Sequence, residues 1–172
     1  NASFSDDAIF DQAETGDAFF QNASFAGLAS FEEITVDGDL EMSGASFNAA
    51  ENSANLRRIN VGKSMMLASI HAPAGLDISQ STLNDLHISM SDDTPLSLLD
   101  LTQTEIDRQF EINSAVIHTF QANGLINNGT LTMDGVKIDQ QLSLKNANFN
   151  LIVILGFEWP KKPENFNMRG ME

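Results

Sequence analysis

The chain has 172 residues, 42% of them hydrophobic, no cysteine, and a formal net charge of −15. One domain of ordinary size with an apolar core is expected, and disulfide frameworks, iron–sulfur clusters, zinc–thiolate sites and cysteine nucleophiles are excluded. The charge is uneven: residues 1–56 hold eleven acids (Asp6 through Glu51) and no Lys or Arg, while residues 57–172 hold thirteen acids against nine bases.

The N-terminal stretch is a repeat. Ala8-x-Phe10, Ala13-x-Thr15, Ala18-x-Phe20 and Ala23-x-Phe25 fall at steps of five, and Ala29-x-Phe31 follows at a step of six. A longer unit then takes over: apolar at i and i+2, small at i+5, apolar at i+7. It reads Leu40, Met42, Ala45, Phe47. Ile59, Val61, Ser64, Met66 and Leu76, Ile78, Ser81, Leu83 fit more loosely. Leu86 and Ile88 begin a copy that Ser91-Asp-Asp-Thr-Pro95 interrupts, and that segment is expected to protrude as a loop. The unit returns as Leu99, Leu101, Thr104, Ile106 and as Phe110, Ile112, Ala115, Ile117. A degenerate copy follows at Phe120, Ala122, Leu125 and the polar Asn127, then clear ones at Leu131, Met133, Val136, Ile138 and Leu142, Leu144, Ala147, Phe149.

Units that start at 99, 110, 120, 131 and 142 make about 21 residues per pair, one coil of a solenoid. No helical stripe is sustained, and short alternating runs break at Gly, Asn, Asp and Ser, as strands and turns require. A short strand cannot bury its own apolar side chains, whereas stacked coils bury them in one internal column. The reading is all-β: a single parallel β-helix of about eight coils over residues 2–157. Residues 158–172 form a C-terminal cap or partial coil, announced by Trp159-Pro160 and Lys161-Lys162-Pro163. The longest apolar run, Leu151 to Phe157, falls far short of the roughly 20 residues of a membrane span. No signal peptide is visible, and the chain reads as a domain cut from a longer polypeptide. The compartment is left open, with the cytoplasm favoured.

The run at residues 8–31 resembles the pentapeptide-repeat family, whose motif is A(D/N)Lxx with Leu or Phe at the centre. Ala2-Ser-Phe4, Ala45-Ser-Phe47 and Ala147-Asn-Phe149 look like it too, so the resemblance spans about residues 2–150 and is weakest over 48–98. It implies a right-handed quadrilateral β-helix. Thr104, Ser81 and Val136 depart from the small residue of the motif, which implies less square coils. Some members of that family are similar to DNA in shape and charge and bind DNA gyrase.

Asp37, Asp39 and Glu41 sit at alternate positions; with Leu40 and Met42 inward they share an outer face. This acidic face is the candidate interaction site. Three carboxylates are too few for calcium, which takes six to eight oxygens. Asp92-Asp93 with Asp100 reads as turn chemistry. His71, His87 and His118 have no i, i+3 or i+4 partner among themselves, and His87 and His118 are expected to face outward. Arg57-Arg58 is expected in a surface ion pair. No metal, cofactor or catalytic group is expected, and the sequons at Asn22 and Asn128 carry no assignment.

The expected function is a non-catalytic scaffold whose acidic face meets an unknown protein partner with a basic surface. Direct nucleic-acid binding is not expected from a chain this negative. The alternatives are a DNA-mimic binder of gyrase, a structural spacer in a longer protein, and a carbohydrate-active β-helix. The last lacks its groove of bases and aromatics: Arg57, Arg58, Lys63 and Arg108 are scattered, and Trp159 is the one tryptophan. Open end coils would invite an end-to-end dimer.

Overall fold

The computed structural model describes residues 2–49, 54–90 and 94–171. Glu51, Asp92 and Asp93, and with them most of the expected loop at 91–95, lie outside the described residues.

The first coil is built from four two-residue strands, Ser3–Phe4, Ala8–Ile9, Glu14–Thr15 and Ala18–Phe19. Each pairs in parallel with its counterpart 21 or 22 residues on: Phe4 with Phe25, Ala8 with Ala29, Thr15 with Val36, Ala18 with Leu40. Two of the corners are tight turns in which a backbone N–H reaches back three residues, as from Ala13 to Phe10 and from Ala23 to Phe20. Gln12 and Asn22, the third residues of those turns, have φ of 60° and 54°. That is the type II geometry, which usually takes Gly or Asn at this position. Further on, Gly44 and Gly124 occupy corners of the same kind at φ 71° and 68°.

Repetition of these sides gives a right-handed parallel solenoid of about seven turns with about 22 residues per turn. The sequence reading of about eight coils of about 21 is close; insertions at the corners lengthen some turns, so fewer fit. The longest column of pairing runs through eight strands, from Ala8–Ile9 to Phe166–Asn167. At about 4.8 Å per strand that column is about 34 Å long. Among the described residues the one helical element is a single 3-10 turn at Pro163–Asn165.

The cross-section changes at Asn60–Ile70. Here two sides fuse into an 11-residue strand, followed in the same sheet by Thr82–Met90, Glu105–Asn113, Ile126–Asp134 and Asn148–Leu155. The old corner survives as a bulge. Val61 pairs with Leu83 and Ser64 with Asp85, so Gly62 and Lys63 face the single Asn84. Gly62 is needed there, because a Cβ would lie 2.4 Å from the Asp37 carbonyl oxygen.

The core follows from the repeat. Phe4, Phe25 and Phe47 stack face to face at 4.9 and 5.1 Å, and Phe10 stacks on Phe31 at 5.0 Å. Beyond Phe47 the inward positions are mostly aliphatic. The half-coil units read from the sequence alternate between opposite sides: Leu99, Phe120 and Leu142 pair in one sheet, Phe110 and Leu131 in the other, and all five are buried. Ser81 and Thr104, which replace the small corner residue, are buried and donate their hydroxyls to the Leu56 and Ile78 carbonyls. Asn127 is the exception. It stands between Ile106 and Phe149 in an inward column, 1% exposed, and neither its Oδ1 nor its Nδ2 has a hydrogen-bond partner.

Candidate functional site

A carboxylate at a solenoid corner has a structural task available to it. Ladder pairing lapses where the chain turns, and backbone N–H groups there need another acceptor. Asp7 accepts from the Leu28 amide at 2.8 Å, Asp11 from Glu32 at 2.9 Å and Asp17 from Asp39 at 2.9 Å. Each of these bonds joins one coil to the next. Asp77 and Asp100 instead cap amides two residues on, at Ser79 and Thr102. Much of the N-terminal acidity therefore holds coils together. Sequence reasoning did not assign this role, though the 21- or 22-residue step from Asp7, Asp11 and Asp17 to the amide that donates to each, one coil long, was a visible signal.

The candidate acidic face lies on two of these early sides. Leu40 and Met42 are fully buried, so the residues between and before them point away from the core. Asp37 is exposed, while Asp39 and Glu41 are half-buried. Asp39 accepts from the Ser64 amide at 3.1 Å, and Glu41 from the Ser43 amide at 2.8 Å. Each of these two carboxylates keeps a second oxygen for other contacts. Phe19 is 65% exposed and pairs directly with Glu41, one coil away in the same outer column. The sequence reading gave Phe19 no role; an apolar residue one place after an inward Ala18 was its signal.

Other charged groups are paired between neighbouring coils. Arg58 bonds Glu33 at 2.9 Å and also reaches Glu32; Arg57 lies 3.7 Å from Asp77. The hydrogen bond from Gln12, then the contact with Arg58, holds the Glu33 carboxyl below its usual range. Asp85 is nearly buried in the bulge. Burial alone would raise its carboxyl, but bonds from the Arg108 guanidinium and the Gln109 amide outweigh that and hold it below the usual range. His87 pairs with Glu111 at 3.0 Å and His118 with Asp139 at 2.8 Å, both from outward positions. His71 forms a bridge with Ser46.

Among the described residues no three His, Asp or Glu side chains converge as a metal site. One surface cleft, of about 450 Å³, is lined by Gly124, Ile126, Asn146, Ala147, Asn148 and Gly170, none of them titratable. No described helix is long and apolar enough to cross a membrane.

Residues 1–46 match the family model for pentapeptide repeats, with nine copies. No curated protein and no solved structure matches the chain. The match and the solenoid together fit a pentapeptide-repeat protein.

Proposed function

We propose that this pentapeptide-repeat solenoid is a non-catalytic scaffold that binds a protein partner through the acidic face formed by Asp37, Asp39 and Glu41. The observation that carries the reading is Phe19, an exposed aromatic set directly beside Glu41 among carboxylates. An aromatic anchor with charge around it is the composition of a binding hot spot, and a ring face beside carboxylates suits a Lys or Arg of the partner. The rigid coils hold these groups in fixed register, which lowers the ordering penalty of association. The gyrase-mimic alternative needs a negative stripe along the whole rod, and the nine bases after residue 56 interrupt it.

The test is affinity capture of partners by the wild type and by the triple variant Asp37→Asn, Asp39→Asn, Glu41→Gln. The amides keep an acceptor oxygen for the Ser64 and Ser43 N–H groups while removing three charges. A protein enriched by the wild type, released by salt and lost with the variant supports the reading. Equal capture by both overturns the acidic face as the binding site, and no specific capture overturns the reading and favours the spacer.

A further inference from the structure

One corner of the rod carries a gap that its geometry does not require. Coil by coil, the third residue of the turn at this corner is Gln12, Glu33, Arg58, Gln80, Gln103, Gly124 and Asn146, and each holds a positive φ. They stand one above another. The Gln103 amide donates to the Asn123 carbonyl and the Gly124 amide to the Lys145 carbonyl, each on the next coil, at 2.8 Å. Every one of these places except Gly124 therefore takes the conformation with a full side chain. At Gly124 a Cβ would meet only Cγ of Gln103, at 3.7 Å, which is ordinary contact. The glycine relieves no clash. It removes one rung from a ladder of side chains.

Two adjoining clefts, of about 450 and 210 Å³, meet at this gap and share Gly124 and Asn146. Small-molecule sites run to roughly 300–1,000 Å³. Both clefts lie on the flank of the rod and not at an end. Their polar lining is largely side-chain amide: Gln103, Asn123, Asn146 and Asn148. Other amides of the rod are tied to a neighbouring coil, as Gln12 to Glu33, Asn84 to the Gly62 carbonyl and Asn128 to Glu105 and Asp107. Here Asn123 accepts at Oδ1 from the buried Ser143 hydroxyl at 2.6 Å and from the Lys145 amide at 3.1 Å. Those two bonds fix its side chain and leave its Nδ2 to donate outward. Gln103, Asn146 and Asn148 are exposed, with their side-chain amides available in the same way. Ile126, 41% exposed, adds an apolar wall.

Charge singles out the same place. The chain has 24 acids against 9 bases, yet no carboxylate lines either cleft among the described residues, and Lys145 does. Arg169 holds the place of Lys145 in the turn one coil on, where its carbonyl accepts from the Asn146 amide at 2.8 Å. Asp100 and Glu105, on either side of the preceding turn, already accept from the Thr102 amide at 2.8 Å and from Asn128 at 3.2 Å.

We infer that this notch binds an acidic sugar, a ring that carries several hydroxyls and one carboxylate, as a uronic acid unit of a glycan does. A side-chain amide presents an acceptor oxygen and two donor hydrogens. That set matches hydroxyls, which are donor and acceptor at once. Ile126 offers apolar surface to the C–H face of the ring, and Lys145 supplies the charge opposite to the carboxylate. An apolar wall with a few placed polar groups is the usual build of a small-ligand site. The Lys145 contact would be exposed, so it contributes selectivity among sugars more than affinity. The notch lies on later coils than Asp37, Asp39 and Glu41, and nothing in its chemistry depends on them.

The experiment is an NMR titration of the isotope-labelled chain at neutral pH with glucuronic acid and, in parallel, with glucose, the same ring without the carboxylate. The side-chain amide signals of Asn123, Asn146 and Asn148 report on the notch directly. Saturable shifts of these signals are expected with both sugars, with glucuronic acid bound about two- to fivefold more tightly, the worth of an exposed ion pair. Lys145 is exposed, and Lys145→Gln is expected to make the two sugars equal. Gly124→Glu puts the missing rung back in the form that Glu33 already takes at the same corner, at φ 60°, so the fold accommodates it. It fills the gap with a like charge and is expected to abolish the shifts, while the dispersion of the backbone signals reads the intact fold. No saturable shift with either sugar overturns the inference, as does equal affinity of the wild type for both. Binding that survives Gly124→Glu, or shifts confined to residues outside the notch, overturns it too. Partner capture with the amide variant of the acidic face leaves the notch untouched, so the two readings fail separately.

Discussion

Residues 2–49 and residues 54–155 are the same solenoid filled in two ways. In the first region four two-residue sides meet at tight corners, and the interior is a stack of phenylalanines against alanines. In the second, sides fuse into strands of up to 11 residues and the interior is mostly aliphatic. The column that starts as Ala8, Ala29 and Ala54 continues as Leu76, Leu99 and Phe120. Two residues along, the sequence reads Phe10, Phe31, then Leu56, Ile78, Leu101 and Ala122. The A-x-F of the first coils becomes F-x-A at Phe120-Gln-Ala122. What persists is that both inward places of the pair are apolar; their summed volume varies, since Ala54 with Leu56 is smaller than Leu76 with Ile78, and neighbouring sides take up the difference. The motif is one solution to that constraint, and the later coils use others.

The largest expected effect treats both regions as one cooperative stack. Phe110 is fully buried between Leu86 and Leu131. Phe110→Asp removes a buried ring, a loss of about 3–5 kcal/mol, and adds a carboxylate with no partner. Against a typical stability of about 5–15 kcal/mol the rod is expected to lose its cooperative melting transition, read by circular dichroism. An unchanged melting curve would show that Phe110 lies outside the stack.

A sharper test asks whether the two inward places are interchangeable, and it uses Phe120. Phe120→Ala is expected to cost about 3–5 kcal/mol in chemical denaturation. Adding Ala122→Phe restores the N-terminal order of small and large residues in the same corner. If the two places are interchangeable, the double variant recovers more than half of the loss. If it is no more stable than Phe120→Ala, the two regions differ by more than which side holds the large residue.

Most of this was legible in the sequence because inward residues recur at a period that local turns fix. The half-coil starts at 99, 110, 120, 131 and 142 fall on alternate sheets, and even the degenerate copy placed Asn127 inward. The fusion of two sides at Asn60–Ile70 was not legible. It depends on whether a corner closes as a turn or relaxes to a bulge, and Gly62-Lys63 against Asn84 supports either until the coils are stacked. The acidic residues were legible as charge but not as clasps, since an aspartate reveals its task only when an amide of the next coil arrives beside it.

Asn127 offers a repair within the second region. Its neighbours in the column, Ile106 and Phe149, are apolar, and its amide makes no hydrogen bond. Asn127→Leu keeps nearly the same shape and removes an unsatisfied buried polar group, whose penalty is about 1–3 kcal/mol. The denaturation midpoint is expected to rise without a change in slope. A fall in the midpoint would mean that the amide is satisfied in solution, by a buried water for instance.

The smallest effect concerns the bulge that distinguishes the later coils. Asp85 sits at it, nearly buried, and Arg108 pairs with it from an exposed position. With the folded carboxyl held below its ordinary value, the contribution to stability is present above the unfolded pKa of about 3.9 and is lost as the pH falls through the lower folded value. Arg108→Ala removes the guanidinium and leaves burial opposed by the Gln109 amide and the smaller pull of His87, so the variant is expected to melt below the wild type at pH 7. As the pH falls below about 4 and Asp85 takes up its proton in the wild type, that gap is expected to narrow. A gap that stays constant from pH 7 to pH 3 would assign the role of Arg108 to the packing of its side-chain stem and leave the bulge held by backbone geometry alone.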